Sequence, residues 1–226
     1  MSVNKPNISD LINAYDSILA AHAPVNHSSH AHDAYEVYLL SLVIRAAQAE
    51  GATVHFEDNR NKSNPSKLVF RSSPSSIYSK VNSFTHAVIT FNGAPLLEAH
   101  VGVYVQGLAG VIHECDVAVV DQHEATFCRA HNVHPKKLKV VIAVECKLYK
   151  DNLGIKIGRE FIGMTTDLGK ANRFLFSNSS GPSLEKILVH HDRHRLMGVT
   201  PLDPDMESEA ISKLRNGFRD YKAKHM

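Results

Sequence analysis

Charged residues interrupt two apolar segments of the chain, and their types are those of a hydrolytic site. The segment VVIAVECKLYK carries Glu145 and Lys147 near the end of a β-branched run. The segment HECDVAVVD carries Glu114 and Asp116 at the start of another. Side chains alternate along a strand, so Glu145 and Lys147 should lie side by side on one face. Such charges are costly to desolvate unless they are paired or hold a ligand.

The chemistry depends on the two segments being neighbouring strands. Asp116 and Glu145 would then supply two hard carboxylate ligands for a divalent cation, with Lys147 beside them. A metal would polarise a phosphodiester and activate a bound water, and Lys147 would orient that water or stabilise developing negative charge. In the HECDVAVVD strand, alternation predicts that Cys115 and Val117 share the face opposite Asp116.

The same residues resemble the signature of the PD-(D/E)XK nuclease superfamily, an acid on one strand and an acid-any-lysine triplet on the next. The triplet is Glu145-Cys146-Lys147 and the earlier acid is Asp116, while Cys115 stands where the signature has proline. The resemblance implies an α/β fold with a mixed central β-sheet flanked by helices, a restriction-endonuclease-like core. It also implies that Asp116, Glu145 and the main-chain carbonyl of Cys146 bind Mg²⁺, or alternatively Mn²⁺, and that Lys147 is catalytic.

Two further acids are candidates for the same site. An acid of the preceding helix joins the metal site in many members of that superfamily, and Glu36 is the candidate here. Alternatively, Glu36 stands three residues after Asp33 in DAYE and could close a capping box. Glu114 is either a further acid near the metal or a charge at the mouth of the site.

Hydrophobic periodicity predicts the elements that must position these residues. Expected helices begin at Ser9, extend from Asp33 to Gly51, and cover Ile155–Leu168 and about Glu207–Lys224, with one more stretch between the last two. Expected strands are Thr53–Glu57, Leu68–Arg71, Ala87–Phe91, Leu96–Gln106, Ile112–Val120, a strand from Leu138, and RFLFS. This order predicts an N-terminal helix and His-rich joint at 1–32, a nuclease-like core at 33–180, and a helical extension packed on the core at 181–226.

Basic residues in two predicted helices are candidate DNA contacts. Arg159 lies in IGREFIG, where it would touch a phosphate or form a helix-surface ion pair. The last helix combines apolar residues at helical intervals with an excess of cations, which would follow a nucleic-acid backbone or form a solvated face. The candidate contacts there are Lys213, Arg215, Arg219 and Lys222.

A histidine-rich segment, HEATFCRAHNVH, suggests a different kind of protein. Its candidate zinc ligands are His123, Cys128, His131 and His134, although their spacing fits no standard zinc finger. The sequence therefore leaves open a zinc-stabilised interaction protein, and also a catalytically inactive nuclease-fold module that binds nucleic acid.

Composition places few limits on these alternatives. The net charge of the 226 residues is +2 with histidine neutral, which does not by itself indicate a nucleic-acid binder. Three cysteines, no apolar run of membrane-span length and no signal-peptide pattern lead us to expect a cytoplasmic protein without a membrane partner. The preferred interpretation is a Mg²⁺-dependent endodeoxyribonuclease of restriction or defence type. Its specificity would come from loops, a homodimer or a partner protein.

Overall fold

A mixed β-sheet forms the centre of the protein, in the computed structural model that describes residues 31–60 and 62–225. Its order follows the chain, and the strands are β1 (Thr53–Asp58), β2 (Thr85–Thr90), β3 (Leu97–Gln106), β4 (Ile112–Asp121), β5 (Val140–Lys147), β6 (Arg173–Ser177) and β7 (His194–Met197). Neighbours from β1 to β5 are antiparallel, and β5, β6 and β7 are parallel. The helices are α1 (Ala31–Ala49), α2 (Gln122–His131), α3 (Ile155–Leu168), α4 (Pro182–His190) and α5 (Pro204–His225). The predicted α/β class with a mixed sheet flanked by helices is confirmed.

Helices cover both faces of this sheet. On one face, α1 and α5 pack together against alternate strand residues such as Val117, Val144 and Phe176. On the other face, α2 and α3 pack on the intervening residues, for example Ala118, and α3 with α4 packs on Leu175. The parallel connections β5–α3–β6 and β6–α4–β7 follow from the need for a crossover between parallel strands.

A change of face occurs in the middle of β3 and β4. Paired residues run as far as Val101↔Val117 and resume at Val103↔Cys115. Gly102, between them, has a left-handed φ of +59°, which costs glycine little. Val101 and Val117 pack on the α1 side, whereas Val103 and Cys115 pack on the α2 side. The prediction that Cys115 and Val117 share a face is therefore wrong, because alternation is interrupted at Gly102.

Other differences from the predicted elements are local. Residues 68–71 do not form a strand; Val69 exchanges hydrogen bonds with Thr85, and Arg71 turns inward under the sheet. The histidine-rich segment forms α2, which Asp121 caps at its N-terminus. The C-terminal segment 181–226, predicted to be a helical extension, is not wholly helical. It also contributes strand β7, which pairs with β6 at the edge of the sheet.

The predicted N-terminal helix and most of the His-rich joint lie outside the described residues. Within the described part, His32 and Asp33 already belong to α1, which ends before Gly51 at a left-handed φ of +89°. No helix of the described residues has the length and apolar character needed to cross a membrane.

Candidate functional site

The charged residues singled out in the sequence meet where β4 and β5 separate. The residue pairing of these two strands ends at Val117↔Val144. One step further, the carboxylate of Asp116 accepts a hydrogen bond from the backbone N–H of Cys146 at 2.6 Å. A side chain thus takes the place of a strand backbone at this position, and the opening between the strands is lined by Asp116.

Lys147 lies between two carboxylates in this opening. Its Nζ is 2.6 Å from Oε1 of Glu145 and 3.9 Å from Oδ2 of Asp116. Burial disfavours its charge, but Glu145 and Asp116 outweigh burial and raise the pKa of Lys147. The β5 backbone is held here by its pairing with β6, and Ser177 Oγ donates to the Lys147 carbonyl at 2.6 Å. The ammonium is therefore charged and has a fixed position.

Glu36 reaches the same site from α1, on the opposite side of the sheet from α3. Burial raises its pKa to about 9, and repulsion by Asp116, Asp33 and Glu114 adds to this effect. The capping-box alternative for Glu36 is wrong, because Asp33 lies inside the first turn of α1 and not at its N-cap. Glu36 is instead one of a group of mutually repelling acids.

Asp116 is the buried acid of this site. Its pKa is raised to about 7, because burial and then the charge of Glu145 raise it more than Lys147 and the Cys146 N–H lower it. Glu114 is exposed, and partial burial and Glu145 raise its pKa. Two carboxylates thus contact the ammonium of Lys147, and the raised pKa values of Glu36, Glu114 and Asp116 reflect a repulsion between acids that a divalent cation would offset.

A second polar centre, which the sequence analysis missed, is buried beneath α2. His86 on β2 and Glu98 and His100 on β3 have ligand atoms all within 4.8 Å of one another. They form the only group among the described residues that meets this geometry for a metal ion, and the Asp116 site does not meet it. Glu98 and His100, two positions apart in the apolar segment LEAHVGV, were the available signal.

The predicted zinc ligands do not come together. His131 stacks on Phe127 at 4.1 Å between ring centroids, and His134 packs between Tyr78 and Tyr104. Cys128 is buried, with its Sγ near Glu124. No metal-binding group of three or more forms around these residues within the described chain, so a zinc site there is excluded by distance.

Most of the predicted DNA-binding cations of α5 have a structural partner. Arg215, Arg219 and Lys222 all contact the carboxylate of Glu50, which follows α1, at 2.8 to 2.9 Å. Lys213 pairs with Glu209 one turn before it at 3.2 Å. The ion pairs of these cations with Glu50 therefore hold α5 against the C-terminal end of α1.

These ion pairs with Glu50 are also distant from the acidic site. Glu36 and Glu50 are separated along α1 by about 20 Å, at about 1.5 Å per residue. Arg159 differs from the α5 cations, because it is exposed on α3. That helix packs on Leu175, the β6 partner of Glu145. Of the predicted phosphate contacts, Arg159 is the one on the side of the sheet where Glu145 lies.

Comparison with known proteins gives no independent guide to this site. No family model, no curated protein and no solved structure matches the chain. The function proposed for the chain consequently depends on the geometry of the residues at the acidic site.

Proposed function

We propose that the protein is a metal-dependent nuclease that hydrolyses phosphodiester bonds in DNA with an activated water. The observation that carries this proposal is the convergence of Asp116 and Glu145, from two separating strands, on the ammonium of Lys147. An isolated surface ion pair between Glu145 and Lys147 would not need a buried carboxyl group, Asp116, beside it. A site that holds a cation and a phosphate does need this combination of charges.

The carboxylate and carbonyl donors present are of the type that a hard divalent cation such as Mg²⁺ prefers, with Mn²⁺ as an alternative. Asp116 and Glu145 would hold it together with the main-chain carbonyl of Cys146, and Glu36 would join them from α1. Bound there, the ion would polarise the phosphodiester and lower the pKa of the attacking water. The raised pKa values of Glu36 and Asp116 fit this arrangement, because they reflect carboxylates that lack enough positive charge.

Lys147 has a different task from the acids. Its ammonium is anchored by Glu145 and is about one-quarter exposed, so it faces both the site and the solvent from which substrate arrives. It would orient the attacking water and stabilise negative charge that builds on the phosphate. A group positioned before the reaction is more effective at this than a mobile surface lysine.

Substrate contacts are sparse near the site. Arg159 is the candidate phosphate contact of α3. The cations of α5, which are paired with Glu50, would contact the DNA backbone only at a distance from the acidic site. Sequence specificity would then come from loops, a homodimer or a partner protein. A restriction or defence role extends this proposal by analogy with the nuclease superfamily whose signature the Glu145-Cys146-Lys147 triplet resembles.

Cleavage assays on supercoiled, linear and single-stranded DNA and on RNA test the proposal, each in Mg²⁺, in Mn²⁺ and in chelator. We expect metal-dependent cleavage of DNA, and a loss of about 100-fold or more in the single-turnover rate of Lys147→Ala. Lys156→Ala is the matched control, because Lys156 is 88% exposed in an i,i+4 pair on α3.

Two results would contradict the assignment. A Lys147→Ala variant that is folded and cuts at the wild-type rate would show that the triplet is an ordinary strand end. DNA binding without cleavage in any metal would identify the inactive binding module that the sequence left open.

A further inference from the structure

A row of ionisable side chains is buried between the sheet and α2, and none of them belongs to the proposed nuclease site. Glu98 is fully buried and His86 and His100 are 2% exposed. The two imidazole rings stack with centroids 4.8 Å apart. Arg129 of α2 closes the group by donating from Nη1 and Nη2 to the two oxygens of Glu98, each at 2.7 Å.

One buried nitrogen atom in this group lacks a hydrogen-bond partner. This atom is His86 Nε2. It lies 3.6 Å from Oε2 of Glu98, and His100 Nε2 lies 2.9 Å from the same oxygen. A buried polar atom without a partner is costly. Three potential ligand atoms are therefore already directed at one another.

From this geometry we infer that His86 Nε2, His100 Nε2 and Glu98 Oε2 form a structural site for a zinc-type divalent metal. Bonds of about 2.0–2.2 Å from a tetrahedral zinc to nitrogen and oxygen place neighbouring ligand atoms about 3.3 Å apart. The observed separations of 2.9 and 3.6 Å bracket that value. The metal would also give His86 Nε2 the partner that it lacks.

The class of metal follows from the donors and the charges. Two neutral imidazoles and one carboxylate suit zinc and its neighbours, whereas Mg²⁺ and Ca²⁺ prefer several oxygens. Arg129 already donates two hydrogen bonds to Glu98, and its positive charge opposes ions that bind mainly by electrostatic attraction. The site should consequently discriminate against the ion expected at Asp116.

Existing neighbours can complete the coordination. Metal binding at Glu98 Oε2 would replace the bond from Arg129 Nη1 and leave the bond from Nη2 to Oε1 as an outer contact that orients the carboxylate. Glu57 is paired directly with His86 across β1 and β2, so its carboxylate is on the same face. A turn of Glu57 away from His55 and Ser63, its present partners, would supply a fourth ligand.

Zinc stoichiometry in the purified full chain tests this inference. We expect about one tightly held equivalent of zinc in the wild type and a higher melting temperature with zinc than after chelation. His86→Ala should weaken zinc binding at least about 100-fold, more than loss of an outer-shell partner usually does. His86 Nε2 makes no hydrogen bond, so this variant removes the proposed metal ligand without breaking a hydrogen bond of that atom.

Two controls separate this site from the other histidines and from the proposed nuclease. His131→Ala removes an exposed imidazole of α2 and should keep the zinc. Glu145→Gln should also keep the zinc, even if it abolishes cleavage. Substitution of wild-type protein with Co²⁺ should give the intense visible absorption of a tetrahedral site, a readout that does not depend on any variant folding. Wild-type protein without stoichiometric zinc, or equal zinc affinity in His86→Ala, would overturn the inference.

Discussion

Replacing Asp116 with asparagine should stabilise the protein in the absence of metal, and more so at alkaline than at acid pH. Asparagine keeps an oxygen for the Cys146 N–H, which donates to Asp116 at 2.6 Å. It removes a charge that burial and Glu145 disfavour, as shown by a pKa raised from 3.8 to about 7. The difference of roughly 3 units corresponds to about 4 kcal/mol at most. The attraction to Lys147 lowers this pKa, so the figure already includes its loss, and we expect a stabilisation of about 1–4 kcal/mol.

The sign of the pH dependence follows from proton binding. Between pH 3.8 and about 7 the native Asp116 retains a proton that the unfolded chain has released. The native state thus binds more protons, and the free energy of unfolding of the wild type falls as pH rises through this window. Asparagine does not titrate, so the advantage of Asp116→Asn should grow from about pH 4 to pH 7 and then level off.

Thermal unfolding in chelator at several values between pH 4.5 and 8 measures this difference, at about 2–4 °C per kcal/mol for a chain of this size. The control is Asp192→Asn, since Asp192 is exposed, pairs with Lys170 and has a lowered pKa. Asparagine also suits its left-handed φ of 51°. An Asp116→Asn variant that is less stable than wild type at pH 8, or a gap that does not change with pH, would refute the electrostatic account of the site.

Three further perturbations test other parts of the structure. Glu50→Gln should destabilise the protein by about 1–3 kcal/mol in urea unfolding, because three cations of α5 lose their common partner. Since the pKa of Glu50 is lowered to about 2, its contribution should be present above pH 4.5 and disappear towards pH 2, and a pH-independent effect would contradict it. Gly102→Ala should cost about 1–3 kcal/mol, because φ is +59° and a new Cβ would lie 3.3 Å from Arg71 Cβ, whereas Gly163→Ala in α3 should be neutral or stabilising. Arg159→Ala should weaken DNA binding and flatten its salt dependence without lowering the melting temperature; unchanged affinity would make Arg159 a surface residue only.

The elements around the acidic site were accessible from the sequence because their patterns are local. The amphipathic segment Ile155–Leu168 forms α3 with the predicted bounds. The apolar strand β4 begins at its predicted first residue and ends at Asp121, directly after the predicted Val120, and the apolar strand β5 begins at Val140, close to its predicted start at Leu138. Charges in such runs are informative, since an apolar strand rarely tolerates them without a partner. Their convergence was predictable to the extent that β4 and β5 are neighbours, whereas the direction of the Asp116 side chain depends on a local change of face.

Long-range partners were not accessible in the same way. The excess cations of α5 suggested a nucleic-acid surface, yet Glu50, more than 160 residues earlier, neutralises three of them. The number of charges on one helix does not reveal an acidic residue from a distant part of the chain that packs against that helix. The buried histidine and glutamate group has the same origin, since His86 and Glu98 are on different strands and Arg129 comes from α2.

Gly102 explains why the position of Asp116 could not be read from alternation alone. One left-handed residue in β3 changes which face the following residues of β3 and β4 occupy, so Cys115 packs under α2 and Val117 under α1. Asp116 lies at this change of face, and it can therefore interact with Glu36 from the α1 side and with Lys147 from the α3 side. A regular strand would direct its carboxylate to one side only. The irregularity thus brings acids from both layers of helices to one opening in the sheet, and the proposed metal site depends on this arrangement.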